Sequence, residues 1–120
     1  MWSSYLSAPS RTGSLVVAER RGEVVGFANA GPAVGPDAEH GFTPVRPQHL
    51  FSIYLLSAAQ QSGLGHRMLD AVLEDRPAQL WVLRGNARAI GFYERNGFRA
   101  DGVEFADPAD PGLTEIRMVR

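Results

Sequence analysis

Two glycines stand one residue apart in the stretch QQSGLG, residues 60–65, directly before an apolar run with helical spacing. Backbone N–H groups in the first turn of a helix have no partner inside the helix, and such turns bind anions, phosphate above all. A side chain at Gly63 or Gly65 would hold a pyrophosphate away from these amides. The stretch therefore predicts a phosphate-binding turn, and a plain tight turn with close helix packing is the alternative.

Two familiar phosphate-binding patterns do not match this stretch. A Walker loop requires a lysine and a hydroxyl residue directly after its last glycine, whereas His66 and Arg67 follow here. A Rossmann fingerprint requires a third glycine where this sequence has Met68. Neither an NTPase loop nor a dinucleotide-binding turn is predicted.

Candidate polar groups lie on both sides of the turn. Tyr93 follows Asn86 by seven residues, which places both on the same face of a helix. The alternatives are a core aromatic beside Phe92 and a plain N-cap for Asn86. Histidine in general titrates near pH 6.5, which makes His49 a candidate base, although a lone histidine at a strand end is more often exposed or capping. The three histidines lack metal-ligand spacing, so no metal site is predicted.

The elements that position these residues follow from periodicity. Alternation and a tight turn at Arg21 and Gly22 predict a hairpin of strands 14–19 and 23–30. Residues 31–48, with four prolines, read as a long loop. The remaining expectations are buried strands over 49–56 and 79–83, a helix after the glycine turn, a second helix from Asn86 to Gly97, and two strands in the tail. The apolar face of the first helix comprises Leu64, Met68, Leu69, Val72 and Leu73.

Composition narrows the class of protein. The chain has 120 residues, no cysteine and a formal net charge of -1. This predicts one domain over residues 1–120, with no nucleic-acid or membrane partner. The missing cysteines exclude disulfides and thiolate chemistry, and they favour a cytoplasmic location.

The turn and the second helix belong to two longer patterns. QQSGLG has the form Q-x-x-G-x-G, and NARAIGFYERNGF has the form N-x-x-A-x-x-F-Y-x-x-x-G-F. In this order, separated by a helix and a strand, they resemble the signature segments of the GCN5-related N-acetyltransferase (GNAT) family. The resemblance extends from about Ser14 to the end of the chain. It implies an α+β fold with a mixed sheet, of the GNAT-like acyl-CoA N-acyltransferase type.

The resemblance implies acetyl-CoA as the acyl donor. In that family the pantetheine arm lies in a split between the fourth and fifth strands, here 49–56 and 79–83, and hydrogen-bonds to the fourth as an added strand would. Pyrophosphate binds the amides of the glycine turn. The residues implied to contact the cofactor are Ile53, Tyr54, Leu55, Gln60, Gln61, Ser62, Gly63, Leu64, Gly65 and Asn86.

The resemblance also implies catalytic roles. Tyr93 occupies the place of the family's common general acid, and His49 stands where family members often carry a glutamate base. Attack of an amine on a thioester creates an oxyanion, and the amide of Leu55 is the candidate donor to it. The predicted function is direct transfer of an acetyl group from acetyl-CoA to a primary amine of a small molecule or peptide, without a metal. The alternative is a non-catalytic acyl-CoA-binding module or an inactive, truncated remnant.

The amino end departs from the family pattern. The family opens with a strand and two helices, and only WSSYL, residues 2–6, remains of them; its spacing reads as the tail of a helix. A missing first strand would expose the edge of strand 14–19, which predicts self-association as a homodimer, or reduced solubility. A longer true chain is an equally economical explanation.

Overall fold

A computed structural model describes residues 2–6, 14–57, 60, 63–110 and 112–120, with the side chains of 2–6 and 34–36 left out. The chain divides into two compact units, Met1–Pro32 with Gln48–Arg76 and Ala33–Pro47 with Pro77–Arg120. The expectation of a single domain concerns both units together and stays a prediction. In chain order the elements are β1 (Trp2–Leu6), β2 (Ser14–Arg20), β3 (Glu23–Pro32), α1 (Val34–Glu39), β4 (Gln48–Leu55), α2 (Leu64–Leu73), β5 (Ala78–Leu83), α3 (Ala87–Arg95), β6 (Arg99–Ala106) and β7 (Thr114–Val119).

In the first unit β1, β2, β3 and β4 pair antiparallel in that order. The predicted hairpin is confirmed as β2 and β3, and its turn residues Arg21 and Gly22 have φ of 52° and 81°. Positive φ at both central residues matches the right-handed twist of the flanking strands. The hairpin therefore follows from local turn chemistry.

The interpretation of residues 2–6 as the tail of a helix is wrong. They form β1, which pairs with β2 from Trp2 opposite Arg20 to Leu6 opposite Val16. Five residues are too few for a stable helix, whereas a strand of that length is stabilised by backbone hydrogen bonds to a neighbouring strand. The edge of β2 is therefore covered, which corrects the expectation of a missing first strand and removes the reason to expect a dimer through that edge.

Helix α2 packs on this sheet as the sequence predicts. The five residues of its apolar face are all buried. Their recurrence at three and four residues makes one stripe along the helix, and burying that stripe anchors the helix start beside the end of β4. The position of the glycine turn is set by this packing.

In the second unit β7 lies between β5 and β6 and pairs antiparallel with both. The loop predicted over 31–48 is shorter than expected, because 31–32 extend β3, Val34–Glu39 forms α1 and Gln48 begins β4. Its prolines obscured the helix, although Pro36 lies in the first turn, where proline is tolerated.

A buried polar network anchors the segment Ala33–Pro47. Asp37 is fully buried, and its carboxylate accepts hydrogen bonds from Gln79 Nε2 at 2.6 Å, Trp81 Nε1 at 3.0 Å and Arg117 Nη1 at 2.8 Å. These partners come from β5 and β7, so the segment is fixed on the sheet by an ion pair and not by apolar contact alone. None of the helices in the described ranges is long and apolar enough to cross a membrane.

Candidate functional site

The end of β4 presents backbone groups on the side away from β3. The N–H of Leu56 donates to the carbonyl of Val25 at 2.8 Å, and Leu55 pairs with Gly26. Opposed residues of an antiparallel pair alternate between bonded and non-bonded, so Ile53 and Leu55 point their N–H groups away from β3. In two of the three β4 residues implied to bind the cofactor, the N–H group therefore points to the side on which an added strand would bind.

Gln60 holds the last carbonyl of β4. Its Nε2 donates to the backbone oxygen of Leu55 at 2.9 Å. This bond ties the turn to the strand end, so the side chain acts on the backbone of β4. Gln61 and Ser62, the next two predicted cofactor contacts, lie outside the described residues.

Gly63 is the N-cap of α2 and has the left-handed φ of 79°. Among the described residues no side chain caps this helix end, and a Cβ added at Gly63 would meet no atom within 4 Å. The glycine is required for its backbone conformation, and the first turn of a helix is where backbone amides bind anions.

Asn86 is the N-cap of α3, as the sequence predicts. Its Oδ1 accepts from the N–H of Ala89 at 3.2 Å, and the residue is exposed. The cap uses the oxygen and leaves Nδ2 with no partner among the residues described. Capping and donation to a ligand are therefore compatible. At the other end of α3, Gly97 has φ of 91° just beyond the C-cap, Asn96.

Tyr93 lies two turns after Asn86 on α3. Its ring makes edge contacts with Phe92 and Phe98, at centroid distances of 5.6 and 5.8 Å. Partial burial raises the pKa of the phenol above its ordinary value of 10.0. Its hydroxyl has no hydrogen-bond partner in the described part of the chain. Tyr93 is therefore a protonated donor at neutral pH, with its proton not committed to another side chain.

His49 is buried, with 4% of its surface exposed, so the expectation of an exposed strand-end histidine is wrong. It is the second residue of β4, lies opposite Gly31, and its ring stands 5.0 Å from that of Phe51. Strand pairing draws the side chain inward. Its role as a base stays a prediction.

The predicted site residues fall into two groups. The first unit brings together His49, the end of β4, Gln60 and the start of α2, and the second unit carries Asn86 and Tyr93 on one helix. Because β4 and β5 lie in different units, the predicted split between them stays a prediction. In the described ranges no three His, Cys, Asp or Glu residues form a group that could hold a metal ion.

Sequence reasoning missed two features that shape these groups. One is the network around Asp37, for which the sequence holds no signal beyond a single acid in a loop. The other is Gly26 in the middle of β3, where a glycine inside a strand indicates a close backbone approach.

Comparisons with known proteins agree with one another. Residues 11–100 match the model of the acetyltransferase (GNAT) domain. A probable N-acetyltransferase of Mycobacterium tuberculosis is 34% identical over 106 residues, which are 85% of this chain and 56% of that protein. The chain thus spans just over half the length of this relative.

Two solved structures share the fold. A GNAT-family protein from Desulfovibrio desulfuricans superimposes with a TM-score of 0.70 at 25% identity, over 91% of this chain and 69% of that one. A GNAT-family acetyltransferase from Elizabethkingia anophelis, solved with acetyl-CoA bound, has a TM-score of 0.67 at 11% identity and covers 98% and 96%. These matches confirm the fold class predicted from the two motifs.

Proposed function

Because the chain belongs to the GNAT acetyltransferase family, we propose that it transfers an acetyl group from acetyl-CoA to a primary amine by direct attack. The observation that carries the proposal is the start of α2, where the N-cap Gly63 adopts a left-handed conformation in the connection that follows β4. This is the turn that the Q-x-x-G-x-G pattern requires. Acetyl-CoA supplies the activated acyl group as a thioester.

Donor binding relies mainly on the backbone. The amides at the start of α2 bind the pyrophosphate, and the outward N–H groups of Ile53 and Leu55 bind the pantetheine arm as a neighbouring strand would. Gln60 keeps the carbonyl of Leu55 in place. The free Nδ2 of Asn86 adds a donor to the arm.

The transfer forms a C–N bond and breaks a C–S bond. The amine attacks the carbonyl carbon, the oxyanion accepts a hydrogen bond from the Leu55 N–H, and Tyr93 donates its proton to the departing thiolate. A thiol has a pKa near 8.5, below that of the phenol, so this proton transfer is uphill. Tyr93 therefore contributes by holding its proton close to the departing sulfur, and not by a favourable difference in pKa. The proton that the amine loses then returns the tyrosinate to the phenol.

The acceptor is proposed to be a primary amine of a small molecule or peptide. At pH 7 deprotonation costs roughly 4 to 5 kcal/mol for a lysine-like amine with pKa about 10.4, but only about 1 kcal/mol for an α-amine near 7.8. His49 is the proposed base, and its burial requires that the proton reach it through a relay. An α-amine depends less on such a base than a lysine-like amine does, so α-amines are the favoured class of acceptor.

The proposal is tested by thiol release from acetyl-CoA across a panel of small amines and peptide amino termini. Turnover with at least one amine, together with heat on titration with coenzyme A, is the expected result. Coenzyme A binding without turnover across the panel would indicate a non-catalytic acyl-CoA-binding module. No binding at all would contradict the proposed donor site.

Substitution of Gly63 tests whether the start of α2 binds the acyl donor. Gly63→Ala is expected to lower the free energy of unfolding by about 1–2 kcal/mol, because an L-residue resists a φ of 79°. It is also expected to weaken coenzyme A binding about tenfold or more, since the amides beside it shift. Calorimetric titration and thermal unfolding measure the two effects.

Gly22→Ala is the matched control, with a φ of 81° and open space around the added Cβ, but in the turn between β2 and β3. It is expected to lose similar stability and to bind coenzyme A normally. Equal affinities for the two variants would contradict the assignment of the α2 start to pyrophosphate.

A further inference from the structure

Gly26 marks the closest approach of β3 to β4. An ideal Cβ built on Gly26 would lie 2.5 Å from the carbonyl oxygen of Tyr54 and 2.8 Å from Cδ1 of Leu55. Real Cβ atoms essentially never come within 3.0 Å of a heavy atom outside their own residue and its two chain neighbours. The Leu55 methyl can rotate away, but the Tyr54 oxygen belongs to the backbone. Any side chain at this position must therefore displace β4 itself.

The ladder places this contact at the end of β4 that the proposed function uses. Gly26 and Leu55 face each other as a non-hydrogen-bonded pair, the position at which two antiparallel strands come closest. Phe27 and Tyr54 form the adjacent bonded pair. The position of the Leu55 N–H is therefore set directly by how near β3 approaches.

A bulge in β3 precedes the contact. Ala18 pairs with Gly26, but Glu19 pairs with Val24, so Val25 is an extra residue on β3. Its carbonyl accepts from the N–H of Leu56, one residue beyond Leu55. Bulges bend a strand and re-aim its neighbours. Leu55 therefore lies between two contacts with β3: the close approach of Gly26 to the carbonyl of Tyr54, and the hydrogen bond from Leu56 to Val25.

We propose that Gly26 is a positioning residue for acetyl transfer: by letting β3 approach without a Cβ, it places the Leu55 N–H at the oxyanion. The inference rests on the proposed function, and it adds to that function a residue that touches neither substrate. Gly26 acts through the backbone of Tyr54 and Leu55.

The size of the effect follows from the geometry. Moving an alanine Cβ from 2.5 to 3.0 Å requires a shift of half an ångström between the strands. An oxyanion donor must lie within about 2.7–3.1 Å of its oxygen, and a misplacement of about 1 Å costs on the order of a hundredfold in rate. Gly26→Ala is therefore expected to lower kcat about 10- to 100-fold.

The experiment compares Gly26→Ala with Ala28→Gly. Ala28 is a buried residue of the same strand opposite Ile53, and its truncation weakens β3 without pushing β4 away. Saturating kcat, the Kd for coenzyme A and the melting temperature are measured for both and for the parent protein. We expect Gly26→Ala to lose kcat well beyond Ala28→Gly at comparable loss of melting temperature. Equal kcat values for the two variants would overturn the inference.

A double variant keeps the test decisive if Gly26→Ala does not fold. Gly26→Ala with Leu55→Ala removes the clash with Cδ1 and retains the clash with the Tyr54 carbonyl. Its kcat is expected to lie about 10-fold or more below that of Leu55→Ala alone, and an equal kcat would overturn the inference. Failure of the parent protein to turn over any amine would instead count against the proposed function, so the two failures are distinguishable.

Discussion

Asp37→Ala is expected to lower the free energy of unfolding by about 3–5 kcal/mol, the largest loss of stability for any single change considered. The reason is that the buried Arg117 would lose one of its two carboxylate partners, while the donors Gln79 Nε2 and Trp81 Nε1 would lose their acceptor. The Arg117 side chain is 6% exposed, and it also donates from Nε to the carboxylate of Asp101, at 2.6 Å, and from Nη1 to the carbonyl of Thr43, at 3.0 Å. Asp101 keeps one ion pair with Arg117, but neither bond replaces the Asp37 carboxylate as the charged acceptor for Nη1.

The loss extends beyond the ion pair. Gln79 donates to Asp37 and accepts with Oε1 from the N–H groups of Val45 and Arg46, at 2.9 and 3.1 Å. Without Asp37 the amide of Gln79 loses the acceptor that orients it, so the segment Ala33–Pro47 loses a second anchor. A buried network that is only partly satisfied costs more than its pairwise bonds suggest.

Urea and thermal unfolding measure the effect. Glu104→Gln is the matched control, because Glu104 pairs with Arg84 and both side chains are half exposed. Exposed pairs contribute about 0–1 kcal/mol, so the control is expected to unfold nearly like the parent protein. Equal, small losses for Asp37→Ala and Glu104→Gln would contradict the role given to the network.

Tyr93→Phe is expected to lower kcat by about 10²- to 10⁴-fold with little change in coenzyme A affinity or melting temperature. The substitution removes the proton donor and retains the ring that packs against Phe92 and Phe98. Phe92→Leu alters the same packing without removing a proton, and it is expected to lose much less kcat. Loss of coenzyme A binding in parallel with kcat would show a structural role for Tyr93 instead.

The pH dependence of this effect has a defined sign. Burial raises the pKa of Tyr93 in the folded protein above 10.0, its ordinary value. The native state therefore holds this proton more tightly than the unfolded chain, and the contribution to stability is present below pH 10 and lost as pH rises through the folded pKa. The part of the rate that depends on Tyr93 should likewise persist to pH 10 and fall above it. Comparing rate profiles of the parent and Tyr93→Phe from pH 8 upward tests this.

Several features were predictable because their causes are local. The turn at Arg21 and Gly22, the buried stripe of α2 and the cap at Asn86 each depend on residues a few positions apart. The motifs QQSGLG and NARAIGFYERNGF lie at the start of α2 and along α3. The sequence therefore predicted both the family and the elements that carry its motif residues. The family matches then agreed with the motifs.

The predictions that failed concern segments whose neighbours are distant in sequence. Residues 2–6 carry a spacing that suits a helix turn, but pairing with β2 makes them a strand. His49 has the sequence context of an exposed strand end, and the pairing of β4 with β3 buries it. In each case a tertiary partner outweighed the local pattern.

The sequence by itself determined the turns, the helix faces and caps, and the two motifs of the GNAT family, because spacing and backbone preference act within about one or two helical turns. Only the tertiary structure decided that Asp37 meets Gln79 and Arg117, 42 and 80 positions away, and that Gly26 lies against the carbonyl of Tyr54. These contacts arise when strands pair, and pairing register depends on the whole sheet.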